Sequence, residues 1–180
     1  MSSQAALLRA VNVGGTGKVP MADLRALAQD AGLKNVRSLL NSGNLVFDAG
    51  AKPAAACEKL LEAACAKAFG LKTDIHVRSA AEIDAIITRN PFAKEARDDP
   101  GHLVVLFMRG APDAISFKTL QAAIKGRERV LGDGRYAYVT YPDGIGDSKL
   151  TSAVIARHLG FAGTARNWNT LGKLAAMLKT

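Results

Sequence analysis

The stretch VRSLLNSGNLVFD, residues 36–48, decides how the first half of this chain folds. Two short apolar runs, Val36–Leu40 and Leu45–Asp48, flank the small turn residues NSGN. Apolar runs on both sides of such a turn predict two antiparallel β-strands joined as a hairpin. The hairpin provides two strands against which the neighbouring segments must pair or pack.

The segments around this hairpin alternate between strand and helix patterns. Gln4–Val11 is apolar and predicts a strand, and residues 20–31 carry the apolar periodicity of a helix that begins with Pro20. Beyond the hairpin, residues 53–70 predict a second helix and Thr73–Arg78 a further strand. The order β-α-β-β-α-β is that of a ferredoxin-like unit.

The same order begins again in the second half. After a helix that contains Ile83, Pro91 and the polar run EARDDPG mark a junction. The second set of predicted elements comprises the strand His102–Met108, a helix over 112–124, the strands Glu128–Leu131 and Arg135–Tyr141, a helix over 150–159, a short strand Thr164–Trp168 and a helix over 170–178. We therefore expect an α+β chain of tandem ferredoxin-like (βαββαβ) subdomains with an additional C-terminal helix, spanning residues 1–95 and 96–180.

The composition is that of a globular protein. A hydrophobic content of 48% with 22% charged residues argues against disorder. No apolar run is long enough to span a membrane, and the N-terminus lacks a signal-peptide pattern. The two cysteines, Cys57 and Cys65, fall in one predicted helix and lack zinc-site spacing. We expect a reduced, cytoplasmic protein with no cofactor and no membrane partner.

The net charge of +8 is concentrated in the second half. Residues 101–180 contain 11 basic and 5 acidic residues, and Lys125, Arg127, Arg129 and Arg135 lie close together in the chain. A basic face favours an anionic partner, either a phosphate-bearing ligand or a nucleic acid. The alternative is that the charge only keeps the protein soluble.

Five blocks along the chain carry a family resemblance. They are LLRAVNVGGTGKVPMADLRAL at 7–27, SGNLVF at 42–47, NPF at 90–92, YPDGIGDSKL at 141–150 and TARNWNTLGKLAAML at 164–178. Together they resemble the bacterial family of uncharacterised proteins catalogued as domain of unknown function family 1697. Members usually show Gly-Ile where this chain has Ala10-Val11. The resemblance implies the tandem α+β fold and no assigned reaction.

The glycine-rich loop VNVGGTGKVP, residues 11–20, is the first candidate site. It follows a strand and precedes a helix, so the backbone N–H groups of Gly14 and Gly15 are candidates to bind an anion, with Lys18 as a cation and Asn12 to orient the ligand. A P-loop is excluded, because Asn12 and Val19 occupy the positions of its first glycine and its hydroxyl. The alternative is a flexible connection whose glycines adopt positive φ.

YPDGIGDSKL, residues 141–150, is the second candidate. Pro-Asp-Gly predicts a turn, and Asp147 or Ser148 is a candidate N-cap for the next helix. Lys149 would then lie in the first turn, where the helix dipole disfavours a cation by ~0.3–1 kcal/mol. An anion bound by Gly146, Ser148 and Lys149 would explain that lysine.

The third candidate, TARNWNT at 164–170, places polar side chains on a short strand. Arg166, Asn167 and Asn169 are candidates to bind the same ligand in a cleft between the two halves. The alternative is that Asn169 or Thr170 only caps the last helix and that Trp168 lies in the core. On the first interpretation, the partner is a phosphate-bearing small molecule such as a nucleotide.

An RNA-binding alternative rests on GRYAYVTY, residues 134–141. Its last six positions fit the consensus of an RNA-recognition strand, and Tyr136 and Tyr138 would share one face on which bases stack. Arg127, Arg129 and Arg135 would bind the phosphate backbone. The companion strand HLVVLFM lacks an aromatic residue at the expected second position, and alternating tyrosines are also ordinary in strands.

Catalytic and metal motifs are absent from the sequence. No HExxH, HxE or GxSxG pattern occurs, and His76, His102 and His158 fall on unrelated predicted elements. We therefore expect no metal site, and whether the protein is an enzyme stays open. A protein–protein adaptor is the remaining alternative, since ferredoxin-like pairs also serve only to associate.

Overall fold

The computed structural model describes residues 3–13 and 18–180 and divides the chain into two compact units. The first unit comprises residues 1–87 and 173–180, and the second comprises residues 88–172. The last helix of the chain therefore begins in the second unit and ends in the first.

The first unit contains one βαββαβ motif followed by a helix. Its elements are β1 (Ser3–Leu8), α1 (Met21–Asp30), β2 (Lys34–Leu39), β3 (Asn44–Asp48), α2 (Ala54–Phe69), β4 (Ile75–Ser79) and α3 (Ala80–Thr88). The four strands form an antiparallel sheet in the order β2-β3-β1-β4. The hairpin predicted over 36–48 is confirmed as the pair β2 and β3.

The second unit repeats the motif. Its elements are α4 (Ala93–Asp98), β5 (Leu103–Met108), α5 (Ala114–Ala123), β6 (Arg129–Asp133), β7 (Tyr136–Thr140), α6 (Ser152–Leu159), β8 (Gly163–Asn167) and the beginning of α7 (Trp168–Leu178). The sheet order β6-β7-β5-β8 is the order of the first sheet, strand for strand. The protein is thus a tandem of ferredoxin-like α+β units with an additional C-terminal helix, as predicted.

Each unit has a core between the two helices of its βαββαβ motif and one face of its sheet. Because side chains alternate along a strand, one set of strand residues faces the helices. In the first unit these are Ala6, Leu8, Leu45, Phe47, Ile75 and Val77, which pack against Leu24, Ala28, Cys57, Leu61 and Cys65. In the second unit they are Val104, Leu106, Met108, Ala137 and Val139, which pack against Leu120, Ile155 and Leu159.

The other face of the second sheet is also buried. Leu103, Val105 and Phe107 of β5 are fully buried, and so is Tyr138 of β7 at 2% exposure. Arg166 of β8 lies on this face as well, because its register partner is Val105. Because both faces of this sheet are buried, predicted site residues on its strands, such as Tyr138 and Arg166, are not open to a ligand from solvent.

Two local differences from the predicted elements have physical causes. β1 ends at Leu8 and not at Val11, because Ala10 and Asn12 adopt positive φ angles of 52° and 56° that a strand does not accept. α4 was not predicted, because its sequence AKEARD buries no residue and so shows no apolar periodicity.

Candidate functional site

The 141–150 loop consists of two consecutive turns. The N–H of Gly144 donates to the carbonyl of Tyr141 over 2.9 Å, and the N–H of Ser148 donates to that of Ile145 over 3.3 Å. Gly144 has a φ of 92°, which glycine adopts without strain. The turn predicted from Pro-Asp-Gly is confirmed.

The polar side chains of this loop attach it to residues 125–128, the loop between α5 and β6. Asp143 forms a bidentate ion pair with Arg127, and this guanidinium holds the pKa of the carboxyl below its usual value. The hydroxyl of Ser148 donates to Glu128 and also accepts from the N–H of Leu150 over 3.0 Å. Asp143 and Ser148 thus hold residues 125–128 against residues 141–150.

Helix α6 begins later than predicted. Its N-cap is Thr151, whose hydroxyl accepts from the N–H of Val154 over 3.3 Å. The prediction that Asp147 or Ser148 caps this helix is wrong, since Leu150 is a buried loop residue and not the first residue of the helix. Lys149 therefore precedes the cap, and the argument that the helix dipole disfavours it no longer applies.

Lys149 instead borders a cavity of about 280 Å³ in the second unit. The cavity lies between α5, α6 and the loops of residues 125–128 and 141–150. Its apolar lining is Leu120, Ala123, Ile124, Leu150 and Val154. Four basic side chains surround it, namely Lys125, Lys149, Arg157 and His158, with Glu128 as the one carboxylate among its lining residues. We call this space the α5–α6 cavity.

Two of these basic residues were missed as site residues in the sequence. Val154, Arg157 and His158 have the i, i+3, i+4 spacing that places side chains on one face of a helix. That spacing was a usable signal for Arg157 and His158, but it does not show that the face borders a cavity. Lys125 belongs to the basic stretch noted in the sequence.

In the first unit, Asn12 organises the loop in which it lies. Its amide donates to the carbonyls of Val19 and Asn41 over 2.8 and 2.7 Å, and its oxygen accepts from the N–H of Val19 over 2.8 Å. Lys18 is exposed beside it. Gly14 and Gly15 lie outside the described residues.

The TARNWNT segment places its polar residues in different environments. Arg166 is buried and donates to the hydroxyl of Thr164 and the carbonyl of Ala165, both over 2.8 Å. Burial lowers its pKa to about 10. Asn167 accepts from the N–H of Thr170 over 2.9 Å, so Asn167 caps α7 and the prediction that Asn169 or Thr170 does so is wrong. Asn169 is exposed.

These positions bring together only part of the predicted site. Gly146 and Ser148 belong to the same loop as Lys149, but neither lines the α5–α6 cavity. Arg166 lies on the sheet face opposite the helices that form this cavity. The convergence of Lys18, Lys149 and Arg166 on one cleft stays a prediction.

The tyrosines of the RNA-binding alternative differ in exposure. Tyr138 is buried, and Tyr136 packs against it edge-to-face with 5.6 Å between ring centroids. The hydroxyl of Tyr136 donates to Asp133 over 2.7 Å. A buried ring offers no face to a base, so Tyr138 does not serve as a stacking platform in this structure.

Arg127 and Arg129, two of the three arginines of that alternative, have side-chain partners within the second unit. Arg127 pairs with Asp143, and the Arg129 guanidinium lies 4.8 Å from the ring centroid of Phe92 and 3.8 Å from a carboxylate oxygen of Glu95. Arg135 is half-buried, and its carbonyl accepts from the N–H of Met108.

Two absences hold over residues 3–13 and 18–180. No group of three or more histidine, cysteine, aspartate or glutamate side chains is arranged to hold a metal ion. No helix combines the length and apolar character needed to cross a bilayer.

Comparisons with known proteins place the chain in a family. Its fold is similar to that of the conserved bacterial protein SP0830 from Streptococcus pneumoniae, with a TM-score of 0.72 and 24% sequence identity over 98% of each chain. No curated protein matches the sequence. Residues 1–138 match the family model described as Protein of unknown function (DUF1697), and the chain therefore belongs to this uncharacterised family.

Proposed function

We propose that the protein binds a small phosphate-bearing ligand in the α5–α6 cavity, with Lys149 as a phosphate-binding residue. The observation that carries the proposal is a set of unpaired cations around an apolar cavity. Within the described part of the chain, Lys125, Lys149 and Arg157 form no ion pair within 4.0 Å. Cations that lack an internal partner are free to bind an anion.

The carboxylate at the cavity does not cancel this charge. Glu128 is half-buried and accepts a hydrogen bond from the hydroxyl of Ser148. Against this one carboxylate stand two lysines and an arginine, so the lining has a positive balance even with His158 neutral. A dianionic phosphate monoester matches that balance better than a neutral ligand does.

The apolar lining indicates what the phosphate is attached to. Leu120, Ile124 and Val154 offer a surface that a nucleobase or another apolar group would cover. A volume of about 280 Å³ lies just below the usual range for ligand sites, which is ~300–1,000 Å³. We therefore favour a mononucleotide or a compact phosphate monoester over a dinucleotide.

The experiment is a thermal-shift screen of the wild type and two variants, Lys149→Ala and Lys18→Ala. The panel contains mononucleotides, sugar phosphates, short single-stranded RNA and inorganic phosphate. A ligand at ~100 times its Kd stabilises the native state by ~2.7 kcal/mol, which raises the Tm by roughly 5–10 °C. We expect this shift to disappear in Lys149→Ala and to persist in Lys18→Ala, since Lys18 lies in the first unit.

Three results would contradict the proposal. One is a wild type that no compound in the panel stabilises, and another is a shift that Lys149→Ala retains. The third is equal loss of the shift in both lysine variants, which would indicate an effect of net charge and not of the cavity. Stabilisation by RNA alone, with a steep dependence on salt, would favour the RNA-binding alternative instead.

A further inference from the structure

The strand β6 (Arg129–Asp133) forms an edge of the second sheet that differs from the other sheet edges. The sheet orders β2-β3-β1-β4 and β6-β7-β5-β8 make β2, β4, β6 and β8 the edge strands. An edge strand presents unpaired N–H and C=O groups with which another strand can pair. Natural proteins usually block such edges, so an open one indicates a partner.

Two edges are blocked by distortion or by carboxylates. In β2, the pairing register shifts between Lys34 and Arg37, and Asn35 has a φ of 51°. Along β4, the N–H groups of Ile75 and Val77 each donate to a glutamate of α2 over 2.9 Å. Neither edge offers a regular row of free backbone groups.

The edge β8 is partly covered by its own arginine. Arg166 donates to the carbonyl of Ala165 within the strand. Arg78, at the equivalent position of β4, donates in the same way to Val77 over 2.8 Å. The two units thus share a device that occupies a carbonyl of the fourth strand.

The edge β6 is regular and half open. Its pairing with β7 runs without a break from Arg129 to Asp133. The side chain of Gln121 accepts from the N–H of Val130 over 2.7 Å and donates to the carbonyl of Glu128 over 3.3 Å. The backbone N–H and carbonyl of Val130 point away from β7, and those of Gly132, two residues later, point the same way. Among the described residues, the N–H and carbonyl of Gly132 bond to no other element.

The sequence of β6 is self-complementary in charge. In an antiparallel pair of two β6 strands centred on Leu131, Arg129 of each strand lies opposite Asp133 of the other. The same register sets Val130 opposite Gly132, so that the N–H of Gly132 donates to the carbonyl of Val130 in the other strand. The reciprocal bond, from the N–H of Val130 to the carbonyl of Gly132, forms only when the Gln121 side chain releases that N–H. Leu131, which is 45% exposed, then lies opposite its own copy.

We propose that β6 pairs with β6 of a second copy of this chain and forms a symmetric dimer. The two sheets of the second units then join into one sheet across an isologous contact. A groove of about 670 Å³ runs beside β6, and its lining includes Phe117 of α5, so the pairing also covers apolar surface. Arg129 and Asp133 now form ion pairs with Glu95 and Arg89 at an exposed surface, where ion pairs exchange at little cost. Arg129 also lies over the ring of Phe92.

A mixing experiment tests the dimer with three variants: Arg129→Asp, Asp133→Arg and the control Lys59→Asp, which changes an exposed charge on α2. Each β6 variant places like charges opposite each other twice, and we expect its dimerisation to weaken roughly tenfold or more. When Arg129→Asp is mixed with Asp133→Arg, the aspartates of one variant lie opposite the arginines of the other. We therefore expect the two variants to form a heterodimer. Sedimentation velocity at protein concentrations up to about 100 µM measures the dimer fraction.

Specific recovery in the mixture separates pairing from misfolding, since an unfolded variant would not recover. The dimer is wrong if the wild type stays monomeric across this concentration range. It is also wrong if both β6 variants dimerise as the wild type does, or if their mixture remains monomeric. In those cases β6 either serves a different partner or none.

Discussion

Gly43 occupies a position that tolerates no side chain. Its φ is 71°, and a Cβ built on it would lie 2.8 Å from the Cβ of Leu8 and 3.2 Å from that of Val11. The carbonyl of Gly43 also accepts from the N–H of Leu8 over 2.9 Å. The hairpin turn therefore packs directly on the end of β1, and this contact depends on the missing side chain.

We predict that Gly43→Ala destabilises the protein by about 2–4 kcal/mol, through left-handed strain together with the clash against Leu8. Gly50→Ala is the matched control, because Gly50 has a φ of 59° but no atom within 4 Å of a built Cβ. The control should lose only about 1 kcal/mol. Urea unfolding midpoints measure both values. Equal losses in the two variants would show that the turn does not pack on β1.

At the scale of the elements, side-chain caps determine where the helices α5, α6 and α7 begin. Asp113 accepts from the N–H of Ser116 over 2.7 Å at α5, and Thr151 and Asn167 do the same for α6 and α7. The hydrogen bond that the N–H of Ser116 donates to it lowers the pKa of the Asp113 carboxyl. Each cap satisfies one of the N–H groups that a helix leaves without an internal partner.

Replacement of the α7 cap tests this assignment. We expect Asn167→Ala to reduce the free energy of unfolding by ~1 kcal/mol, because the N–H of Thr170 loses its acceptor. Asn169→Ala removes the same amide from an exposed position two residues later and should change stability by less than about 0.5 kcal/mol. Chemical denaturation of both variants decides the point. A larger loss from Asn169→Ala would restore the sequence-based assignment of the cap.

At the scale of the whole molecule, both cores bury weak acids in their neutral form. Burial raises the pKa of Cys65 in the first unit from 9.0 to about 11, and that of Tyr141 in the second from 10.0 to about 12. When the pH exceeds the unperturbed pKa values of 9.0 and 10.0, these two groups lose their protons in the unfolded chain but keep them in the native protein. The stability from these groups is complete below about pH 9 and is lost as the pH rises toward 11 and 12.

We predict that the urea midpoint of the wild type falls steadily between about pH 9 and about pH 10.5. Tyr141→Phe keeps the ring but removes the ionisable hydroxyl, and with it the bond of 3.3 Å to the carbonyl of Leu150. The variant should start lower near neutral pH and fall less steeply above about pH 10. A midpoint that stays constant over this range would show that neither group keeps its proton in the native state.

The sequence by itself determined the order of elements in both βαββαβ motifs, because periodicity and turn residues act over a few neighbouring positions. The two βαββαβ motifs, the 36–48 hairpin and the Pro-Asp-Gly turn all follow from such local signals. Lys149 was identified as a site residue for a reason that the structure removes, and yet it borders a cavity.

Tertiary structure decided which of these residues are exposed and which of them meet. The sequence pattern of Tyr136 and Tyr138 predicts a shared face, but only packing shows that Tyr138 is buried on it. Lys125, Lys149 and Arg157 come from two loops and a helix, and no local pattern joins them. Their proximity depends on the packing of α5 against α6, a contact between segments about thirty residues apart that apolar burial drives.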